Sequence, residues 1–259
     1  MTTDVSDRVA AGLARAWETN ARAVDGTVER IDGLLLALTE VADPQLNVAL
    51  VEHEPRDPSA ALDAARRTFA EHGFRIGLDL PRGRYPGVER AASDLGMVVA
   101  VTRPAMAASL SALSPAAPPA GVEISTLSAE DDLEELWEIQ AAAFGMRPDV
   151  VRAYLSPSML RAPEIACFLA RRNGRAVSSS LGIEIDGSVG VFGVATLREA
   201  RGLGIGTAVT AAAADWARDR ADLAWLQASE DGRRVYERMG FGVVSDWDVW
   251  VLPPIPPSG

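Results

Sequence analysis

Val9, Leu13 and Trp17 recur at four-residue spacing through an Ala-rich stretch from 4 to 21, which predicts a helix ending near Asp25-Gly26. The period then shortens. Leu34–Thr39 and Asn47–Glu52 are apolar runs separated by Asp43-Pro44 and read as strands. After Pro58, Leu62, Ala65 and Phe69 share one helical face that stops at Gly73. A strand over Phe74–Leu80, a helix over 86–95 and a strand in MVVAVT complete a β-β-α-β-α-β order behind the opening helix.

AASLSALSPAAPPAG, from 107 to 121, has the composition of an extended linker. Three segments are therefore expected: 1–106, a linker over 107–121, and 122–259. The last opens with the strand VEISTL and a helix in which Leu133, Leu136, Trp137, Gln140 and Phe144 share a face. Ser128 stands as its N-cap before an acidic first turn. A second helix follows Pro148, then strands at about 164–172, 175–185 and 188–196, the last two joined by the hairpin signal Asp186-Gly187. A glycine-rich turn, a helix through Arg220, a strand over Leu223–Ser229, a short helix through Met239 and a final strand Gly242–Leu252 close the chain. The class is α/β, a mixed sheet flanked by helices.

The balance of 25 basic against 36 acidic residues, a formal charge of −11, argues against nucleic acid and suits a neutral or cationic small partner. The sole cysteine, Cys167, excludes a disulfide framework or a cysteine-based zinc cluster and suits a reducing cytoplasm. It lies in the apolar run EIACFLA and reads as a buried structural thiol. No metal site is expected, and no apolar run approaches the ~20 residues that span a bilayer.

The chemistry concentrates between 191 and 220. An apolar strand runs into Arg201-Gly202-Leu203-Gly204-Ile205-Gly206-Thr207 and then a helix, an arrangement that aims consecutive backbone N–H groups at an anion. A Walker loop needs Gly-Lys-Ser/Thr, and no Lys occurs here. Neither glycine register supplies the third small residue of a dinucleotide fingerprint, although Asp222 stands about 20 residues on, where that fold places its ribose-binding acid.

Arg201-x-x-Gly204-x-Gly206 resembles the R/Q-x-x-G-x-G/A signature of the GNAT superfamily of N-acetyltransferases, and Val194-Ala195-Thr196 and Tyr236-x-x-x-Gly240-Phe241 resemble two further segments of that family in the right order. The resemblance covers 122–251. It implies the acyl-CoA N-acyltransferase fold and an enzyme that transfers the acetyl group of acetyl-CoA directly to the amine of a small molecule or peptide. The pyrophosphate would lie on Arg201–Thr207, the pantetheine arm along Val194, Ala195 and Thr196, the thioester carbonyl on the Val194 main chain, and Tyr236 would protonate the leaving thiolate.

The first half looks like a degenerate copy of the same fold. The order strand, helix, strand, short helix, Gly, strand at 47–103 recurs at 191–251, with Pro55-Arg56-Asp57-Pro58 in place of the glycine loop. One cofactor per chain is the expectation. Direct transfer also needs a base for the ammonium. Glu184 is the candidate, with Glu230, Asp231 or a water relay as alternatives. A non-catalytic acyl-CoA sensor and, more remotely, a dinucleotide enzyme stay open, as do the acceptor and the oligomeric state, a homodimer included.

Overall fold

A computed structural model describes residues 4–113, 116–131 and 133–253. The first half contributes α1 (Val5–Ala23), β1 (Thr27–Ile31), β2 (Leu34–Leu38), β3 (Asn47–Val51), α2 (Pro58–Glu71), β4 (Gly77–Pro81), α3 (Pro86–Asp94) and β5 (Val98–Ser109). The second contributes β6 (Val122–Leu127), α4 (Glu134–Phe144), α5 (Pro148–Tyr154), α6 (Pro157–Leu160), β7 (Ile165–Arg172), β8 (Arg175–Ile185), β9 (Ser188–Thr196), α7 (Ile205–Asp215), β10 (Leu223–Gln227), α8 (Glu230–Met239) and β11 (Gly242–Val251).

These strands make one eleven-stranded sheet in the order β1-β2-β3-β4-β11-β5-β10-β9-β8-β7-β6. The halves are interlocked. β11, from the end of the chain, pairs with both β4 and β5, and β5 also pairs with β10, so each half lends its last strand to the other. Strand alternation sorts the core into two layers. Leu35, Ala37, Ala105 and Ala107 face a layer built with α1, α4, α5 and α6. Leu34, Leu36 and Leu38 face α2 and α3, whereas Met106 and Ala108 face α7 and α8, all on the opposite side of the sheet.

Four sequence expectations change. β1 was not foreseen, because Glu29 and Arg30 interrupt its apolar character; they are exposed on an edge strand, and Arg30 is paired with Glu18 and Glu52. The strand begun at MVVAVT continues through Ser109, so the segment 107–121 is not an extended linker from its start. Leu110 and Leu113 are buried, and the Arg218 guanidinium donates to both their carbonyls, at 2.6 and 3.3 Å. Ser128 is not a helix cap: its N–H donates to the Asp131 carboxylate at 2.6 Å, and α4 starts at Glu134. Finally, α7 ends at Asp215, five residues before Arg220.

Candidate active site

The parallel pair β9 and β10 is in register only at Leu223↔Ser188, Ala224↔Val189 and Trp225↔Gly190. Beyond Gly190 the strands separate, although β9 runs on to Thr196 and β10 to Gln227. The separating strand is also bulged. Ser179 pairs with Ala195 and Leu181 with Phe192, so Gly193 and Val194 together oppose Ser180 alone. Such a bulge turns main-chain groups out of the ladder. Gln140, on α4 and buried, holds it: its Nε2 donates to the Gly193 carbonyl at 2.7 Å and to Ser179 Oγ at 2.8 Å. Ser178 donates to the Ala195 carbonyl at 2.6 Å and lies 2.8 Å from Thr196 Oγ1, while Ser180 donates to the Val209 carbonyl on α7 at 2.8 Å.

At the end of β9 the chain turns into α7 through the glycine loop. Gly202 and Gly204 have φ of 76° and 78°, the left-handed region that a Cβ disfavours. A Cβ on Gly206 would stand 3.2 Å from Thr196 Oγ1, so strand and loop touch there. Arg201 Nε donates to the Thr196 carbonyl at 3.1 Å. Gly204 caps α7 without a side chain, and the first N–H bonded back within the helix is that of Ala208, leaving those of Ile205, Gly206 and Thr207 outside the helical ladder.

The matching turn of the first half is already filled. There the Asp32 carboxylate, from the β1–β2 hairpin, accepts from the N–H groups of Arg56 and Asp57 at 3.0 and 3.4 Å, and Asp57 caps α2 by accepting from Ala60 at 3.0 Å. Two carboxylates occupy the place that the α7 turn leaves open to an anion. The contrast supports a fit for a pyrophosphate at Arg201–Thr207 and none at Pro55–Pro58.

Tyr236 and Val194 border the same apolar layer beneath α7 and α8. The Tyr236 ring meets Phe241 edge-on at 6.2 Å, and burial pushes its hydroxyl up to about 12, so the phenol stays protonated through neutral pH. Ser229 caps α8 by accepting from Gly232 at 3.1 Å, so Asp231 is not the cap. Glu184 is not brought to the opening. It pairs with Val189 near the β8–β9 hairpin and accepts from the Gly187 N–H at 3.3 Å, at the end of β9 away from the bulge. Cys167 is fully buried, with its thiol pushed up to about 12 by burial.

A family model for the acetyltransferase (GNAT) family matches residues 132–241. The matched segment lies in the second half of the chain and holds the glycine loop and α7. Solved structures extend the likeness, as fold, over most of the chain. A GCN5-related N-acetyltransferase from Kribbella flavida is 24% identical with a TM-score of 0.75, covering 93% of this chain and 96% of its own. A tandem GNAT protein from the clavulanic acid biosynthesis pathway is 19% identical with a TM-score of 0.60, over 86% and 79%. A GCN5-related N-acetyltransferase from Sphaerobacter thermophilus is 18% identical with a TM-score of 0.63, over 86% and 78%. A search of curated proteins found no match.

Within the matched segment, sequence reasoning missed the residues that shape the opening. Gln140 was placed on the apolar face of its helix, and an amide among Leu136 and Ile139 was the available signal. Ser178-Ser179-Ser180 inside an otherwise apolar strand was another. Trp137 of the same helix is structural, its indole donating to the Leu155 carbonyl at 2.9 Å, whereas Phe144 is exposed. Among the described residues no group of three or more His, Cys, Asp or Glu is placed to hold a metal ion, and no helix is long and apolar enough to cross a membrane.

Proposed function

We propose that the GNAT domain transfers the acetyl group of acetyl-CoA to an amine of a small molecule or peptide, and that the first half is a degenerate GNAT-like unit with no cofactor of its own. The observation that carries the reading is the uncapped α7 turn beside a bulged, separating β9. Acetyl-CoA supplies an activated thioester. The N–H groups of the Arg201–Thr207 loop and the positive end of α7 hold its pyrophosphate. Val194, Ala195 and Thr196 lie along its pantetheine arm, and Val194, in the bulge, offers its N–H where negative charge develops on the carbonyl oxygen. Tyr236 keeps a proton ready for the departing sulfur. For the base, the position of Glu184 favours a water chain or Glu230 and Asp231, in the first turn of α8 next to the end of β10. The likeness to a tandem GNAT protein and the filled first-half turn support one cofactor per chain, and the buried Cys167 suits a cytoplasmic setting.

Calorimetry is expected to show saturable acetyl-CoA binding, weakened at least tenfold in Gly204→Val, because a β-branched residue is strained at this φ. Absence of binding to the wild type would sink the reading. A second reading, an acyl-CoA sensor, draws on the first half having lost its own anion site. Thiol release from acetyl-CoA over an amine panel separates the two: transfer predicts release that drops about a hundredfold in Tyr236→Phe, and a sensor predicts none in either protein.

A further inference from the structure

α1 faces the β8–β9 hairpin across a cleft of about 580 Å3, a volume within the range of small-molecule sites. Its two walls carry opposite charge. Arg15, Thr19 and Arg22, spaced four and three apart on α1, line one side. Glu164, just before β7, and Glu184 and Asp186, at the hairpin, line the other. The cleft is separate from the opening at the bulge, because Glu184 pairs with Val189 at the far end of β9.

Much of this charge is not satisfied within the fold. Arg22 is held by Glu18 at 2.6 Å, and the buried Glu18 also takes Arg30 at 2.7 Å. The Arg15 guanidinium stands 3.7 Å from Glu18 and 3.9 Å from Asp186, too far to hydrogen-bond either. Across the cleft, the Glu164 carboxylate has no partner among the described residues, and the half-buried Glu184 accepts only from the Gly187 N–H, at 3.3 Å. The walls are kept from closing on each other by what lies behind them. Gly12, three residues before Arg15, rests against the Trp225 indole, where a Cβ would stand 3.0 Å away, so α1 is seated on the sheet at a fixed distance from the hairpin.

A ligand that carries both signs fits such a cleft. An anion alone would face three carboxylates, and an amine alone would leave Arg15 unused. We propose that the cleft is a second binding site, for a free aliphatic α-amino acid. Its carboxylate takes the Arg15 fork with the Thr19 hydroxyl beside it, its ammonium lies between Glu164 and Glu184, and its side chain rests on Ala23, Ala162 and Ile185. The site does not depend on acetyl transfer.

Calorimetry with L-alanine, L-valine and L-leucine tests it. At least one is expected to bind saturably with a Kd at or below about 1 mM and to raise Tm. The carboxylic acid lacking its amine, and the amine lacking its carboxylate, each bind at least tenfold more weakly, since a hydrogen bond to a charged group is worth that much. Arg15→Gln and Glu184→Gln each weaken the amino acid at least tenfold and abolish the Tm rise. Glu164→Gln, at an exposed position the fold does not use, does the same and keeps the test intact if the Glu184 variant folds poorly. Three outcomes overturn the assignment: no saturable binding of any of the three amino acids, equal binding of either singly charged analogue, or affinity unchanged in both Arg15→Gln and Glu164→Gln, which would place the ligand elsewhere on the chain.

Discussion

Trp225→Ala is expected to lower unfolding stability by about 3–5 kcal/mol, the usual cost of emptying a buried aromatic site. Trp225 is fully buried at the point where β9 and β10 part, and its indole N–H donates to Ser188 Oγ at 3.1 Å. Phe192 meets it edge-on, with ring centroids 5.4 Å apart and an interplanar angle of 86°, a geometry worth about 0.5–1.5 kcal/mol beyond burial. Two glycines make the space. A Cβ at Gly12, on α1, would stand 3.0 Å from the indole, and one at Gly190 would stand 2.6 Å from both the Trp225 and Phe192 rings. The truncation therefore removes the floor of the opening and leaves α1 and β9 unsupported on either side of a void. Urea unfolding of the two proteins measures the difference, and a loss below about 1 kcal/mol would mean that the surroundings close over the gap and the indole is not what props it. Gly190→Val reaches the same contact from the other side and should also destabilise, through overpacking.

The second large effect depends on pH. Asp79 lies on β4, between Leu50 of β3 and Val249 of β11, and is 5% exposed. Burial raises its carboxyl from 3.8 to about 7, with the positive charge of Arg103 only partly opposing the rise. The sign follows from proton binding. Between pH 3.8 and 7 the folded chain keeps a proton that the unfolded chain has lost, so stability falls as pH rises through this window and levels off above 7. Asp79→Asn removes the dependence. At about 1.4 kcal/mol per unit, the variant is expected to be more stable than the wild type at pH 8 by at most about 4 kcal/mol, and equal to it near pH 4. Thermal unfolding across this range checks it; a variant destabilised equally at both pH values would show that the carboxyl makes interactions an amide cannot replace.

These two residues also mark a difference between the halves. In the tandem reading proposed above, β3 and β4 correspond to β9 and β10, and they too pair briefly, at Ala49↔Leu78 and Leu50↔Asp79. Where the second half ends its pairing on Gly190 and Trp225, the first ends on Leu50 and Asp79, and the turn beyond is closed by Asp32 and Asp57. Like-charged carboxylates at the mouth of that turn repel an incoming phosphate.

Much of this was legible in the sequence because it is local. The helix of 4–21 shows in Val9, Leu13 and Trp17, and the hairpin at Asp186-Gly187 in two residues. The Arg201–Thr207 turn shows in its glycine spacing, and two of those glycines take the left-handed φ that the spacing suggested. Glu184 illustrates the limit: a carboxylate on the correct strand, at the wrong end of it, because distance along β8 becomes distance from the bulge. β1 was lost for a related reason, since an edge strand needs no apolar run and Arg30 finds its carboxylates only when α1 and β3 come alongside.

What the sequence determined by itself, then, is most of the order of elements and the backbone of one glycine turn, because both depend on backbone preferences and side-chain periods within a few residues. Only the tertiary structure decided that β5 and β11 are exchanged between the halves, that Gly12 and Gly190 close on the two sides of Trp225, and that Gln140 holds the bulge of β9. Each of these depends on which distant strands become neighbours. That choice is made by the burial of whole faces against one another and leaves no periodic mark on the residues that end up in contact.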